Sequence, residues 1–220
     1  MNKKILNVEL YIWLLFIATS LFFVFFSQAD IFISNLFFYE DKFPMKGTLI
    51  ESFFYFSIRP LFIIVIFSTT AVYLYNYLRK KNILNLNTKV FMYIILVISI
   101  APGLIVTVTL KDNWERARPY QTLNYGGTKE FTPAFIPTNQ NGRSFSSAHT
   151  AIAFSFVGVA LLARRRNKLW MGLALSYAIG MAVSRVASGD HFVSDVITSF
   201  FIVFISTRIL YMIILKDKSL

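Results

Sequence analysis

Long apolar runs alternate with short polar segments along the whole chain. A helix needs about 20 mostly apolar residues to cross the hydrocarbon core of a bilayer. Six runs reach or approach that length, at 10–27, 58–78, 90–110, 148–163, 169–183 and 196–215. They are apolar on all sides, whereas a surface helix of a soluble protein shows an apolar stripe and a polar back. The pattern predicts an all-α polytopic membrane protein, in which residues 1–220 form a single domain with six transmembrane helices.

Other segments refine this prediction. The first run follows Lys3 and Lys4, as in a signal peptide, but it lacks a convincing cleavage site, so we expect a retained transmembrane helix. The fourth and fifth runs are short, which is typical of helices that end in an active site. Residues 28–57 mix aromatic and charged side chains, and they are predicted to form an interfacial hairpin. An ordinary aromatic belt would have the same composition. The polar stretch 112–146 is predicted to be an irregular, functional loop.

The composition excludes several classes of protein. Hydrophobic residues make up 56% of the chain and charged residues only 15%, too few to solvate the whole surface of a soluble domain. The net charge of +11 would suit nucleic acid, but no basic face interleaved with polar residues accompanies it, so we expect no nucleic-acid partner. The chain has no cysteine, which rules out disulfides, a thiolate nucleophile and a cysteine metal site.

Positive charge is concentrated between the apolar runs, in a pattern that predicts orientation. With six spans, all of the clusters fall on one face of the membrane, and lysine and arginine mark the cytoplasmic side. The clusters are Lys3 and Lys4; Arg79, Lys80, Lys81 and Lys89; Arg164, Arg165, Arg166 and Lys168; and Lys216 and Lys218. Both termini are therefore expected in the cytoplasm. The polar motifs described next all fall on the opposite face.

Three short polar segments carry the candidate chemistry. The first holds Lys111 and Arg118-Pro119, the second is Ser147-Ala148-His149, and the third is Ser184-Arg185 with His191 and Asp195. Both histidines of the chain lie in this set. Taken singly, each piece has an ordinary explanation, such as a snorkelling cation or a helix N-cap. Their clustering on one face of the membrane favours a site for a phosphate monoester.

The residue types suit phosphate-ester hydrolysis. Arginine binds phosphoryl oxygens with two parallel hydrogen bonds, so Arg118 and Arg185 are candidates for the phosphate site, with Lys111 as a point charge. Ser147 and Ala148 begin the fourth span, where free backbone N–H groups hold an oxyanion. His191 and Asp195 are spaced four apart, on one helix face, where the carboxylate can orient the imidazole as a nucleophile. His149 is then the candidate general acid.

This arrangement resembles the type 2 phosphatidic acid phosphatase (PAP2) superfamily. The family pattern is Lys-x6-Arg-Pro, then Pro-Ser-Gly-His, then Ser-Arg-x5-His-x3-Asp. The first and third elements match in full, and the second has Ser146 for proline and Ala148 for glycine. The resemblance implies a metal-independent phosphatase without a cofactor, acting through a phosphohistidine at His191. It also implies that His149 is the acid, that Asp195 orients His191, and that the remaining polar motif residues hold the phosphate.

The loop after the third span also resembles bacterial lipid A phosphatases, particularly the 4′-phosphatase group, through Lys111 to Pro119, Tyr125-Gly126-Gly127 and 131–135. This resemblance implies an enzyme of the bacterial inner membrane with its active site facing the periplasm. Its substrate would be lipid A, with the 4′-phosphate favoured over the 1-phosphate. Phosphatidylglycerophosphate and undecaprenyl pyrophosphate phosphatases share the motifs, so these phospholipid substrates stay open. The sequence leaves the oligomeric state open too.

Two readings from other classes remain. A non-enzymatic protein that binds or transports anionic lipids would need the arginines but not both histidines. A metallohydrolase could use His149, His191 and Asp195 as ligands, although the surrounding cations would repel a metal ion. A haloperoxidase shares the motifs, but six spans make that activity a poor match.

Overall fold

The computed structural model describes residues 3–6, 8–163 and 166–215, and these are mostly helical. A two-stranded hairpin, β1 and β2, precedes the helices. Short 3-10 turns lie at Ile83–Asn85, Pro119–Gln121 and Leu123–Tyr125. The strands are β1 (Lys4–Ile5) and β2 (Val8–Glu9); the helices are α1 (Leu10–Phe25), α2 (Gln28–Asn35), α3 (Leu49–Arg79), α4 (Thr88–Ser99), a π-helix (Ile100–Lys111), α5 (Asp112–Trp114), α6 (Ala148–Ala160), α7 (Asn167–Ala187) and α8 (Val193–Ile214).

The predicted helical membrane architecture is confirmed in its coarser form. Among the described residues, four helical segments are long and apolar enough to cross a membrane: Leu49–Arg79, Thr88–Gln121, Asn167–Ala187 and Val193–Ile214. A fifth is present if α1 and α2, bent by 84° at their junction, form one span. Helix α6 is apolar but shorter than a full span. Each of the six apolar runs therefore contains a helix, while the count of six spans stays a prediction.

The segment predicted as an interfacial hairpin is built differently. Residues 28–35 form the separate helix α2, and α3 begins at Leu49 instead of at residue 58. The Thr48 hydroxyl accepts a hydrogen bond from the Glu51 N–H, which caps the start of α3. The earlier start matters for function because it adds Glu51 and Tyr55 to a helix that packs beside the polar motifs.

The third apolar run changes its helical form halfway along. Helix α4 continues directly as the π-helix, in which the Thr107 hydroxyl donates to the Pro102 carbonyl five residues back, at 2.7 Å. Turns of this kind are wider than α-helical ones and are frequent at functional sites. The π-helix ends at Lys111, so it delivers the first motif cation to the polar end of the bundle.

Helices α6, α7 and α8 form the centre of the bundle. Gly158 of α6 lies against Thr207 of α8, where an added Cβ would approach the Thr207 methyl group to 2.9 Å. Small residues allow membrane helices to pack this closely. Helices α6 and α8 both start at the same end of the bundle, where the Ser147 N–H is directed to the Asp195 carbonyl.

The basic clusters lie at the helix ends away from the polar motifs. Arg79 ends α3, Lys89 lies in the first turn of α4, and Arg166 precedes α7. Arg164, Arg165, Lys216 and Lys218, which belong to the predicted cytoplasmic clusters, lie outside the described residues.

Candidate active site

The residues predicted to form the site lie at one end of the bundle. Lys111, Arg118, Ala148 and His149 line a common cavity, and Arg185 joins Arg118 through a shared carboxylate. They come from separate elements. Lys111 ends the π-helix, Arg118 lies in the loop after it, Ser147, Ala148 and His149 open α6, Arg185 lies in the last turn of α7, His191 lies in the α7–α8 loop, and Asp195 lies in the first turn of α8.

His191 is held with one ring nitrogen engaged. Its Nδ1 donates to the Ser144 carbonyl oxygen at 2.8 Å, and Asp195 Oδ2 is farther from the same nitrogen, at 3.6 Å. The Nε2 atom makes no hydrogen bond within the described chain. Burial, together with the nearby charges of Lys111 and Arg118, lowers the pKa of His191 to about 4, so the ring is neutral near pH 7. A neutral ring protonated on Nδ1 leaves an electron pair on Nε2.

Asp195 lies beside this ring and is also connected to it through its neighbours. Its Oδ2 accepts from the Ser144 hydroxyl at 2.5 Å and from the Phe192 N–H at 2.9 Å. The sequence predicts direct orientation of His191 by Asp195, but in the structure the closer partner of the ring is the Ser144 carbonyl. Because Asp195 anchors Ser144, the carboxylate fixes the acceptor that in turn fixes His191.

A fully buried ion-pair chain lies behind Asp195. Arg116 Nη1 contacts Asp195 Oδ1 at 2.6 Å, and its Nη2 contacts Asp30 Oδ2 at 2.8 Å. Asp30 also accepts from the backbone N–H and the hydroxyl of Ser194, at 3.0 and 2.6 Å. The guanidinium packs over the Phe192 ring, 4.4 Å from its centroid. The buried ion pairs beside His191 thus extend to Asp30 in α2.

The two arginines proposed from the motifs share one carboxylate. Asp190 Oδ2 contacts Arg185 Nη2 at 2.6 Å, and Asp190 Oδ1 lies 3.3 Å from Arg118 Nη1. Glu51 of α3 contacts the same Arg185 nitrogen at 2.5 Å. Burial raises the pKa of Asp190, but the positive charges of Arg185 and Arg118 outweigh this effect and bring it below the ordinary value. The ionised carboxylate therefore holds both guanidinium groups at one place.

His149 faces the same region from α6. Its ring stacks on Tyr55, with 5.1 Å between centroids, and Tyr55 also lies under the Arg185 guanidinium at 5.1 Å. Neither ring nitrogen of His149 has a hydrogen-bond partner among the described residues. Tyr55 thus fixes the plane of the imidazole while both nitrogens stay available for a ligand.

The start of α6 and the end of the π-helix complete the arrangement. The Ser147 hydroxyl pairs with that of Thr150 at 2.9 Å, and the Ser147 N–H is directed to the Asp195 carbonyl at 3.4 Å. Ala148 begins the helix, so the N–H groups of its first turn have no partner within the helix. Lys111 is buried and makes no ion pair within the described chain. A cation and unpaired N–H donors are the groups that an anion requires.

Sequence reasoning missed several residues of this arrangement. Asp30, Glu51 and Asp190 form the ion pairs, while Ser144 and Tyr55 hold the histidines. Asp190 had a detectable signal, because it directly precedes His191 in a buried loop. Two further arginines of the loop after the π-helix differ in their surroundings. Arg116 is fully buried, while Arg143 is exposed, pairs with Asp112 and lines the same cavity as Lys111.

The comparisons with known proteins agree with this geometry. A family model described as the PAP2 superfamily matches residues 92–219, more than half of the chain. This chain belongs to the PAP2 superfamily. All of the motif residues lie inside the matched range, whereas Asp30, Glu51, Tyr55 and Arg59 precede it. The superfamily match therefore covers the motifs but not α2 and α3, the helices that contribute these four residues.

One similar protein is named "Lipid A 4'-phosphatase", from Francisella tularensis subsp. novicida (strain U112). It is 34% identical to this chain over 134 residues, which cover 59% of this chain and 60% of that protein. The match thus spans about three fifths of the relative's length. No solved structure matches the chain. Within the described ranges, no group of three or more His, Cys, Asp or Glu side chains is arranged to hold a metal ion.

Proposed function

We propose that this PAP2 superfamily member is an integral-membrane lipid phosphatase that releases phosphate from a lipid head group through a phosphohistidine at His191. The observation that carries the proposal is the Nδ1 hydrogen bond of His191 to the Ser144 carbonyl. It leaves Nε2 unprotonated in a neutral ring, at the edge of a cluster of cations. A nucleophile, an acid and a phosphate site are the three parts that the reaction needs.

The reaction divides into two balanced steps. In the first, the Nε2 electron pair of His191 forms a bond to phosphorus while the bond to the lipid oxygen breaks, and His149, starting in its protonated form, gives a proton to that oxygen. Arg118, Arg185 and Lys111 hold the phosphoryl oxygens as charge shifts among them. In the second, His149 removes a proton from water, the water oxygen bonds to phosphorus, and the P–N bond breaks. Inorganic phosphate leaves and both histidines return to their starting forms.

We propose lipid A as the substrate, with the 4′-phosphate favoured over the 1-phosphate. The name of the similar Francisella protein supports this choice, and so does the resemblance of the loop after Lys111. Phosphatidylglycerophosphate and undecaprenyl pyrophosphate are the alternative substrates. We further propose six spans in a bacterial inner membrane, with both termini cytoplasmic and the site at the periplasmic face. The basic clusters at the other helix ends support this orientation.

Phosphate release by the purified protein tests the proposed function. The detergent-solubilised enzyme is given lipid A, phosphatidylglycerophosphate, phosphatidic acid and undecaprenyl pyrophosphate, each with and without EDTA. We expect EDTA-resistant release that is fastest with lipid A and absent in His191→Ala. Binding of these lipids without release from any of them would support the non-enzymatic alternative. Release that stops with EDTA and returns with added metal would support the metallohydrolase.

The proton state of His191 gives a separate prediction. Because burial lowers its pKa to about 4, we expect His191 to stay neutral as pH falls from 8 to 5 and to gain its proton only near 4. The chain has two histidines, so 15N-histidine labelling gives two imidazoles, and the His149→Ala variant assigns them. The neutral ring should carry its proton on Nδ1. A midpoint near 6.5, or a proton on Nε2, would contradict the proposed nucleophile.

The same shift has a consequence for stability. The unfolded chain takes up this proton near pH 6.5, whereas the folded protein takes it up only near 4. The unfolded state therefore binds more protons between these values, so the contribution of His191 to stability falls as the pH decreases through this window.

A further inference from the structure

A cavity of about 240 Å³ extends from the proposed catalytic residues into the helical bundle. Lys111, Arg118 and His149 line one end. Its lining continues to Thr107, four residues before Lys111, and to Ile152, three residues after His149. These spacings correspond to about one helical turn. The cavity thus reaches from the polar end of the bundle toward the apolar part, the direction in which the tail of a membrane lipid extends.

Arg59 of α3 lines this cavity and has no counter-ion among the described residues. It is exposed, and it makes no ion pair or hydrogen bond within the described ranges. It lies ten residues after Leu49, the first residue of α3, and at 1.5 Å per residue this is about 15 Å along the helix. A charged side chain within a membrane helix is unfavourable and normally faces a partner or a functional cavity. Snorkelling toward water is the ordinary alternative for a long cation.

The nearby carboxylates are already occupied by other arginines. Asp112 pairs with Arg143, Asp190 pairs with Arg118 and Arg185, and Glu51 pairs with Arg185. Within the part of the chain that the structure describes, each arginine around the site therefore has a counter-ion except Arg59. An arginine left unpaired beside a cavity is available to an anionic ligand, and its planar guanidinium matches the oxygens of a phosphate or carboxylate.

We propose that Arg59 binds a second anionic group of the substrate, located on the lipid side of the phosphate that is released. The inference rests on the proposed function, which places the reacting phosphate between His191 and the arginines near the loops. Arg59 lies about one helical turn beyond Tyr55, whose ring stacks on His149, so it is farther along α3 from the loop end of the bundle. The substrate class is then a lipid whose head group carries two anionic groups. The second group is either a phosphate adjacent to the reacting one or a phosphate on the neighbouring part of the head group.

Matched pairs of lipids test this assignment. One pair is phosphatidic acid and diacylglycerol pyrophosphate with the same acyl chains, in which the second phosphate is adjacent to the reacting one. The other pair is lipid A with only the 4′-phosphate and lipid A with both phosphates.

The readout is kcat/KM for the two-anion lipid divided by that for its one-anion partner. The proteins are the wild type, Arg59→Gln, the charge-retaining Arg59→Lys, and a control, Lys129→Gln. Lys129 is a half-buried loop lysine whose amine donates to the Asn141 carbonyl.

We expect Arg59→Gln to lower this ratio by about 10- to 100-fold in the pair whose second anion Arg59 reaches, as expected for a lost charged hydrogen bond. Arg59→Lys should recover part of the loss, and Lys129→Gln should leave the ratio unchanged. An unchanged ratio in both pairs for Arg59→Gln, with active enzyme, would overturn the inference and leave the proposed function standing. If the wild type releases no phosphate, the proposed function fails. Equilibrium binding of the two-anion lipids to wild type and Arg59→Gln then decides the role of Arg59 independently.

Discussion

His191→Ala is expected to abolish phosphate release from every substrate, with a loss of at least about 10⁴-fold, since no covalent intermediate can form without the nucleophile. His149→Ala is expected to lose about 10²- to 10⁴-fold on lipid substrates, because the lipid oxygen must then leave without a proton. The measurement is kcat for phosphate release by purified variants. Their thermal unfolding is recorded alongside, so that misfolded protein is recognised.

The leaving group separates the roles of the two histidines. A nitrophenyl phosphate releases a stable phenolate and has little need of an acid. As a fraction of wild-type activity, His149→Ala should therefore be much more active on that ester than on the lipid. His191→Ala should stay inactive on both. Equal recovery in the two variants, or recovery in His191→Ala alone, would contradict the assignment. Lys129→Gln, which removes a hydrogen bond to the Asn141 carbonyl in the loop, serves as the control for the general effect of a substitution.

Arg116→Gln is expected to destabilise the protein by roughly 3–5 kcal/mol, the effect of removing one member of a buried ion pair. Arg116 is fully buried between Asp30 and Asp195, which are fully buried as well. Without the guanidinium, two carboxylates would remain in a low-dielectric interior with no cation between them. The matched control is Arg143→Gln, which breaks an exposed pair with Asp112 and should cost at most about 1 kcal/mol.

Thermal unfolding in detergent measures this difference, and activity shows its consequence for the site. Because Arg116 holds Asp195, which anchors Ser144 beside His191, the fraction of Arg116→Gln that is folded should also have a lowered kcat. Arg116→Lys restores the charge but not the two-sided contact, so it should recover stability only in part. A melting temperature for Arg116→Gln as high as that of Arg143→Gln would show that the buried ion pairs do not stabilise the fold.

The helical architecture and the motif residues were accessible from the sequence for a physical reason. A membrane span must satisfy its backbone within the helix and must be apolar over its length, so spans leave a local signal. Charge clusters report orientation in the same local way. Lys111, His149 and His191 stand out because polar side chains at helix ends are easily recognised in a mostly apolar chain. Their short spacings to Arg118, Ser147 and Asp195 also lie within single segments.

The groups that hold the site were not accessible because they depend on contacts between distant segments. Arg116 and Asp30 are separated by 86 positions, and Arg185 and Glu51 by 134. Nothing in the local pattern of 28–57 distinguishes the buried Asp30 from a charged residue at an interface. The composition does not show that 28–57 divides into α2, a connecting segment and the start of α3, because aromatic and charged residues occur both in belts and in helices that pack on a site. The π-helical form of the third run likewise leaves no periodic signal.

The central claim is that the phosphate passes through a covalent bond to His191, and trapping that intermediate tests it most directly. The enzyme is mixed with lipid A labelled with 32P in the 4′-phosphate, and the reaction is quenched within milliseconds in alkali. We predict labelled protein whose phosphate survives alkali and is lost in acid, as a P–N bond requires, with the label on His191 and none in His191→Ala. Turnover without any labelled protein, or label that persists in His191→Ala, would contradict it.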